Sequence, residues 1–235
     1  MRSFVVEVWG DFACFTRPET KVERFTYPVM TPSAARGILD AIYAKPIEFS
    51  WRIDKIALLN PIKYISLKRN EVKEKVPNIT NNIVENGGEF QLIAADSTGN
   101  DQKGRTQRQT IALKDVRYLI VAHINPRKGF EHRQKAFENQ ATRRIESGKC
   151  FYQPYFGCRE FTAYFKPAEL TRLNDSIKLD VDIGYMVYDV FNLEQVAIGD
   201  ADPFISLFHA KVESGILEVP AWDSPLIRKP IRGVK

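Results

Sequence analysis

The chain has 235 residues, 34 Lys and Arg against 29 Asp and Glu, and a net charge of +5, with 44% hydrophobic and 27% charged residues. That length holds one large domain or two small ones around a real core, and the balance is that of an ordinary soluble globular protein. A membrane span of about 20 apolar residues, a secretion signal (Glu7 breaks the first apolar run) and a cysteine-built scaffold or zinc site (three cysteines, no Cys-x-x-Cys) are all excluded, so a cytoplasmic setting is expected.

In chain order, Arg2 to Trp9 is rich in Val and Phe and predicts a strand ended by Gly10-Asp11. Thr31-Pro32-Ser33 has a capping residue before a proline at the first helical position. The helix that follows, over 34–44, places Ala35, Ile38, Leu39 and Ile42 on one face and stops at Pro46. Residues 49–59 and 62–67 read as one long irregular strand region with a bend at Asn60-Pro61. Residues 78–103 read as a long loop of Asn, Gly, Ser and Asp with a short strand near 90–94. Two strands are expected at 110–113 and 116–124. The second alternates Val116, Tyr118, Ile120 and Ala122 against Arg117, Leu119, Val121 and His123.

A second helix is expected over 130–147, with an apolar stripe of Phe130, Phe137, Ala141 and Ile145 and Gly148 as its C-cap. Residues 151–156 and 159–165 read as strands around a tight Gly157-Cys158-Arg159-Glu160 turn. The order strand, helix, strand, strand, helix, strand is the split βαβ pattern, shared with RNA-recognition domains. The expected fold is therefore α+β: a ferredoxin-like (RRM-like) βαββαβ unit over 1–165. A small antiparallel β extension over 166–235, with no helix, follows from the alternation at 177–191, 204–212 and 216–219.

The modest net charge is unevenly spread. Residues 102–117, 127–149 and 228–235 together carry +12, and the rest of the chain carries −7. If the three segments meet, they form a groove for a phosphate backbone; otherwise they are solvated helix faces and a tail.

Four stretches carry a family resemblance. They are Val8-Trp9-Gly10-Asp11-Phe12-Ala13-Cys14-Phe15-Thr16-Arg17-Pro18, the helix from Thr31 through Arg36-Gly37 to Ile42-Tyr43-Ala44-Lys45-Pro46, the strand from Leu113 through Asp115 and Tyr118 to Ala122-His123, and Gly148 through Cys150-Phe151, Gln153-Pro154-Tyr155 and Gly157-Cys158-Arg159-Glu160-Phe161. Together they resemble the subtype I-C member of the fifth CRISPR-associated (Cas) protein family, its d variant. The resemblance implies a metal-independent endoribonuclease, needing no cofactor, that cuts CRISPR precursor RNA inside each repeat. It also implies that the protein stays on the 5′ handle of the guide RNA, beside the other subunits of the surveillance complex.

Such cleavage uses the 2′-hydroxyl as nucleophile and leaves a 2′,3′-cyclic phosphate. The protein must help remove a proton, stabilise charge on phosphorus and protonate the leaving oxygen. Tyr43 matches the tyrosine of the family's Ile-Tyr-x-Lys-Pro motif and is the first catalytic candidate; Lys45 follows it in the motif. The family's adjacent Lys-His pair falls on Ala136 and Phe137 here, so the sequence departs from the pattern. Two readings follow: a displaced site built from His132 and Lys135 on one polar helix stripe with Asn139 and Arg143, or a subunit that binds without cutting. A generic ferredoxin-like RNA-binding domain is a third reading, opposed by the 148–161 stretch. RNA-binding candidates are Lys45, Arg105, Arg108, His123, Lys128, Arg133, Arg143, Arg144 and Arg159, with Phe151, Tyr152 and Tyr155 available for base stacking.

Overall fold

A computed structural model describes residues 2–20, 23–72, 85, 105–195 and 203–230. The expected loop and strand at 78–103 and 90–94 lie outside these, apart from Glu85. The chain folds as β1 (Ser3–Ala13), β2 (Arg24–Phe25), α1 (Pro32–Ile42), β3 (Phe49–Leu58), β4 (Tyr64–Val72) and β5 (Arg105–Pro126). These are followed by α2 (Gln134–Glu146), β6 (Tyr164–Pro167), β7 (Val181–Asp189), β8 (Ser206–Glu213), β9 (Ile216–Glu218) and β10 (Ile227–Arg228). It is a mixed α/β protein with a large antiparallel sheet and two α-helices among the described residues. No described helix is long and apolar enough to cross a membrane.

The sheet runs β10-β8-β9-β3-β5-β1-β6, with β2 and β4 also on β5 and β7 on β8. Its spine is β5, 22 residues long. The two short strands expected at 110–113 and 116–124 are therefore one. Lys114-Asp115 looks like a break, but Asp115 takes a left-handed conformation (φ 57°) and the chain continues as a strand. The single irregular region expected at 49–67 is two strands. β3 pairs with the 118–126 half of β5, and β4 with the 105–113 half.

Both α-helices pack on one sheet face. The Thr31 hydroxyl caps α1 by accepting from the Ala34 N–H at 3.2 Å, and Pro32 opens the helix. Ala35, Ile38, Leu39 and Ile42 are buried, as their spacing predicts, and so are Phe137, Ala141 and Ile145 of α2. Phe49 joins the two helices: its ring centroid lies 5.2 Å from that of Tyr43 and 5.2 Å from that of Phe137. Gly148 ends α2 in the left-handed region (φ 66°). The helix starts later than expected, because Glu131–Arg133 is a 3₁₀ turn.

Three further expectations change. Residues 151–156 and 159–165 are mostly turns, with the single bridge Tyr155↔Thr162 before β6. Residues Leu170–Asp175 form a short 3₁₀ helix where no helix was expected. In β7 the alternation fails because the register shifts at Gly184, and Met186, Val187, Tyr188 and Asp189 are buried in succession.

Candidate active site

Three elements meet at the C-terminal end of α1. Tyr43 is its C-cap, donating its N–H to the Leu39 carbonyl at 2.9 Å. The Trp51 indole donates to the Tyr43 carbonyl at 2.8 Å. Arg144 of α2 donates to the Ile42 carbonyl at 3.0 Å and stands over the Tyr43 ring at 5.6 Å. A cation at the C-terminal end of a helix also complements its dipole. The tyrosine is 7% exposed, and burial pushes its phenol above the ordinary range. It is therefore protonated at neutral pH, suited to orient and donate rather than to abstract a proton.

Two cations flank this end. The Lys45 ammonium lies 2.9 Å from one oxygen of Glu48, and the Arg133 guanidinium lies 2.5 Å from the other. The guanidinium also sits over the Phe137 ring. The Glu48 carboxyl is held below its usual range, first by the Lys45 hydrogen bond and then by the Arg133 charge. The Arg127 backbone N–H donates to the Glu48 carbonyl, and its guanidinium to the Pro46 carbonyl at 2.7 Å, which fixes the connecting turn. Glu48 was missed in the sequence. Its i,i+3 spacing from Lys45 was the available signal.

His132 and Lys135 lie within two residues of Arg133, in the 3₁₀ turn and the first turn of α2. Both are exposed and have no hydrogen-bond or ion-pair partner among the described residues. His132 lies in the 3₁₀ turn, so the expected helical stripe through Asn139 and Arg143 starts only at Lys135. Phe137 is a core residue, 1% exposed. A catalytic group at that helix position would face the sheet.

The other candidates divide. Lys128 and Arg143 are exposed, and Arg143 donates to the Gln140 side chain. Arg144 is turned inward, as described. Arg108 bridges to Glu71, which also meets Arg24; Arg24 and Arg69 both reach Glu160. Arg105 enters this arm through its backbone pairing with Val72. Arg159 is exposed beside Glu160, and its charge acts on the Tyr152 phenol. Between the two clusters run Phe151, 78% exposed, and Tyr152, 47% exposed, tied to α1 by the Phe151 N–H on the Ala41 carbonyl at 2.7 Å. His123 is elsewhere. It pairs in register with Arg52, on the sheet face opposite Trp51 and the helices. Its Nδ1 lies 2.9 Å from Asp54, in a cleft of about 570 Å³ with Tyr188 and Trp222.

Among the described residues no three His, Cys, Asp or Glu side chains are grouped to hold a metal ion.

Comparison with known proteins bears on this geometry. Residues 3–220 match the family model Cas5d, CRISPR-associated protein. The chain is 37% identical over 232 residues to the CRISPR pre-crRNA endoribonuclease Cas5d of Mannheimia succiniciproducens, covering 95% of this chain and 97% of the relative. It is 36% identical over 233 residues to the protein of the same name from Thermus thermophilus, covering 94% and 93%. In fold it resembles a CRISPR-associated protein of known crystal structure, with a TM-score of 0.66 and 19% identity over 97% of this chain and 96% of that one. The chain belongs to the Cas5d family of CRISPR-associated proteins.

Proposed function

We propose that the chain is a metal-independent endoribonuclease that cuts CRISPR precursor RNA within the repeat. It then stays on the 5′ handle of the guide RNA, in the cytoplasm, as a subunit of the subtype I-C surveillance complex. The relatives named as pre-crRNA endoribonucleases support the activity. The observation that carries the site is the Tyr43–Lys45–Glu48–Arg133 cluster, with the unpartnered His132 and Lys135 within two residues of Arg133.

In this reading a repeat phosphate lies against Lys45 and Arg133, which oppose the charge growing on phosphorus. The neutral Tyr43 phenol donates to a phosphate oxygen or to the 2′-hydroxyl and aligns it for attack. His132 accepts the 2′-hydroxyl proton, and Lys135 helps neutralise the leaving oxygen. Phe151 and Tyr152 stack unpaired bases, while Lys128, Arg143 and Arg159, with Arg105 and Arg108 on the β4–β5 arm, follow the backbone. Arg144 and His123 serve the scaffold. The strand order β3-β5-β1-β6 with both helices on one face supports a ferredoxin-like unit over 1–165. Residues 166–235 form an extension joined to β3 through β9.

A second reading is a subunit that binds without cutting. The core placement of Phe137, with Ala136 beside it, favours it, because the family's Lys-His pair is missing from those positions. One experiment separates the two: purified protein with repeat RNA in EDTA. A single cut leaving a 2′,3′-cyclic phosphate, blocked by one 2′-deoxy nucleotide just 5′ of the cut, is expected. Tight binding with no product supports the second reading.

A further inference from the structure

We propose that Cys14 and Cys158 form a hydroperoxide-modified thiol pair that closes into a reversible disulfide, pinning the 157–161 turn to the end of β1. Nothing in the RNA-processing reading uses either cysteine, and the proposal stands apart from it.

Two chain segments cross in backbone contact here. The Cys14 N–H donates to the Phe156 carbonyl at 3.0 Å. Gly157, at φ 78°, lies so close that a Cβ there would sit 2.0 Å from the Cys14 carbonyl oxygen. Residues 14 and 158 therefore adjoin one crossing point; a disulfide between them requires a Cα separation of about 4.4–6.8 Å. Both cysteines are free thiols, 1% and 8% exposed. The Thr16 hydroxyl lies 3.6 Å from the Cys14 sulfur, and Arg24 donates to the Cys158 sulfur at 3.5 Å.

The pair is electronically unequal. The neighbouring Cys158 draws the Cys14 pKa down from 9.0 to about 7, helped by Thr16 and the charges of Arg24 and Arg69 against the cost of burial. Cys158 is pushed up by Cys14 and by burial. Cys14 is thus the thiolate and Cys158 the resolving thiol. Access is at hand: Cys14, Thr16, Ser33, Gly37, Tyr155 and Gly157 line a groove of about 600 Å³ beside α1.

The steps balance with a hydroperoxide as oxidant. The Cys14 thiolate attacks one peroxide oxygen, an S–O bond forms, the O–O bond breaks, and hydroxide leaves. The Cys158 sulfur then attacks the Cys14 sulfenic acid. An S–S bond forms, the S–O bond breaks, and the departing hydroxide takes the Cys158 proton as water. Two electrons pass from the thiols to the peroxide, and a dithiol returns them.

The test exposes the reduced full chain to hydrogen peroxide, alkylates the remaining thiols with N-ethylmaleimide and weighs the intact protein. The expected product has lost about 2 Da and carries one alkyl group, on Cys150, in place of three. Non-reducing digestion should join the Cys14 and Cys158 peptides, and dithiothreitol should separate them. Cys14→Ser and Cys158→Ser should each abolish the loss, whereas Cys150→Ser should keep it. Three alkyl groups after peroxide, over-oxidation of Cys14 without a cross-link, or a cross-link through Cys150 overturns the proposal. Peptide mapping of the unmutated chain decides the matter even where a Ser variant fails to fold.

Discussion

The end of α1 and the His123 region lie on opposite faces of one sheet and handle their charges differently. At the end of α1 two half-exposed cations share one carboxylate, so the cluster has an excess of positive charge beside a protonated phenol. On the other face His123 has a single carboxylate partner, Asp54, in a cleft of mixed charge where Arg52 and Lys55 stand with Glu194, Glu218 and Asp223. A histidine at the end of a strand reads as a phosphate contact in one dimension. Its parity on β5 assigns it to the face without the helices, away from Tyr43.

That contrast can be broken by substitution. The largest effect is expected at Tyr43. Removing its hydroxyl in Tyr43→Phe keeps the ring on Phe49 and should slow repeat cleavage by about 100-fold with the melting temperature unchanged. Cleavage at the unmutated rate would remove Tyr43 from the chemistry. Next, Arg133→Ala should weaken repeat RNA binding by about tenfold and reduce the salt slope of log K by less than about one, read in titrations at several salt concentrations.

A smaller effect concerns the clasp between α1 and the β extension. Arg36 reaches both oxygens of Asp189, at 2.6 and 3.0 Å, and also Asp40. Burial raises the Asp40 carboxyl from 3.8 to about 6. The folded chain therefore holds this proton more tightly than the unfolded chain. The resulting stability is present below pH 3.8 and is lost as pH rises through that value to about 6. Asp40→Asn should flatten the denaturant midpoint across this window; an unchanged pH profile would show that folding does not raise the carboxyl's affinity for its proton. The smallest effect belongs to His123→Ala. Its partly exposed contact with Asp54 is worth at most about 1 kcal/mol, and repeat cleavage should change by less than about twofold. A loss as large as that of Tyr43→Phe would reverse the comparison between the two faces.

The legible parts of the molecule were those governed by local rules. Thr31-Pro32 and Gly148 mark helix ends through capping and backbone freedom, and β8 shows plain alternation, whereas Tyr118 to Ala122 of β5 are buried in succession. What was not legible depends on partners distant in sequence. Asp115 reads as a turn until β1 is seen pairing with β5 on both sides of it. Residues 151–165 have strand-like composition, yet the contacts of Gly157 with Cys14 and of Phe151 with α1 fold them into turns. In the candidate site, the Tyr43–Lys45 spacing was visible along the chain. Glu48 gained its meaning only when the start of α2 brought Arg133 across to it.

Glu48 has a consequence for how tightly the cluster responds to salt. A carboxylate resting between Lys45 and Arg133 is a stand-in for a phosphate: it keeps both cations aimed at one point before any polyanion arrives. An incoming phosphate then exchanges with an internal anion as well as with bulk ions. Fewer small ions are set free than the number of cations engaged, and the ordering of two long side chains has already been met during folding.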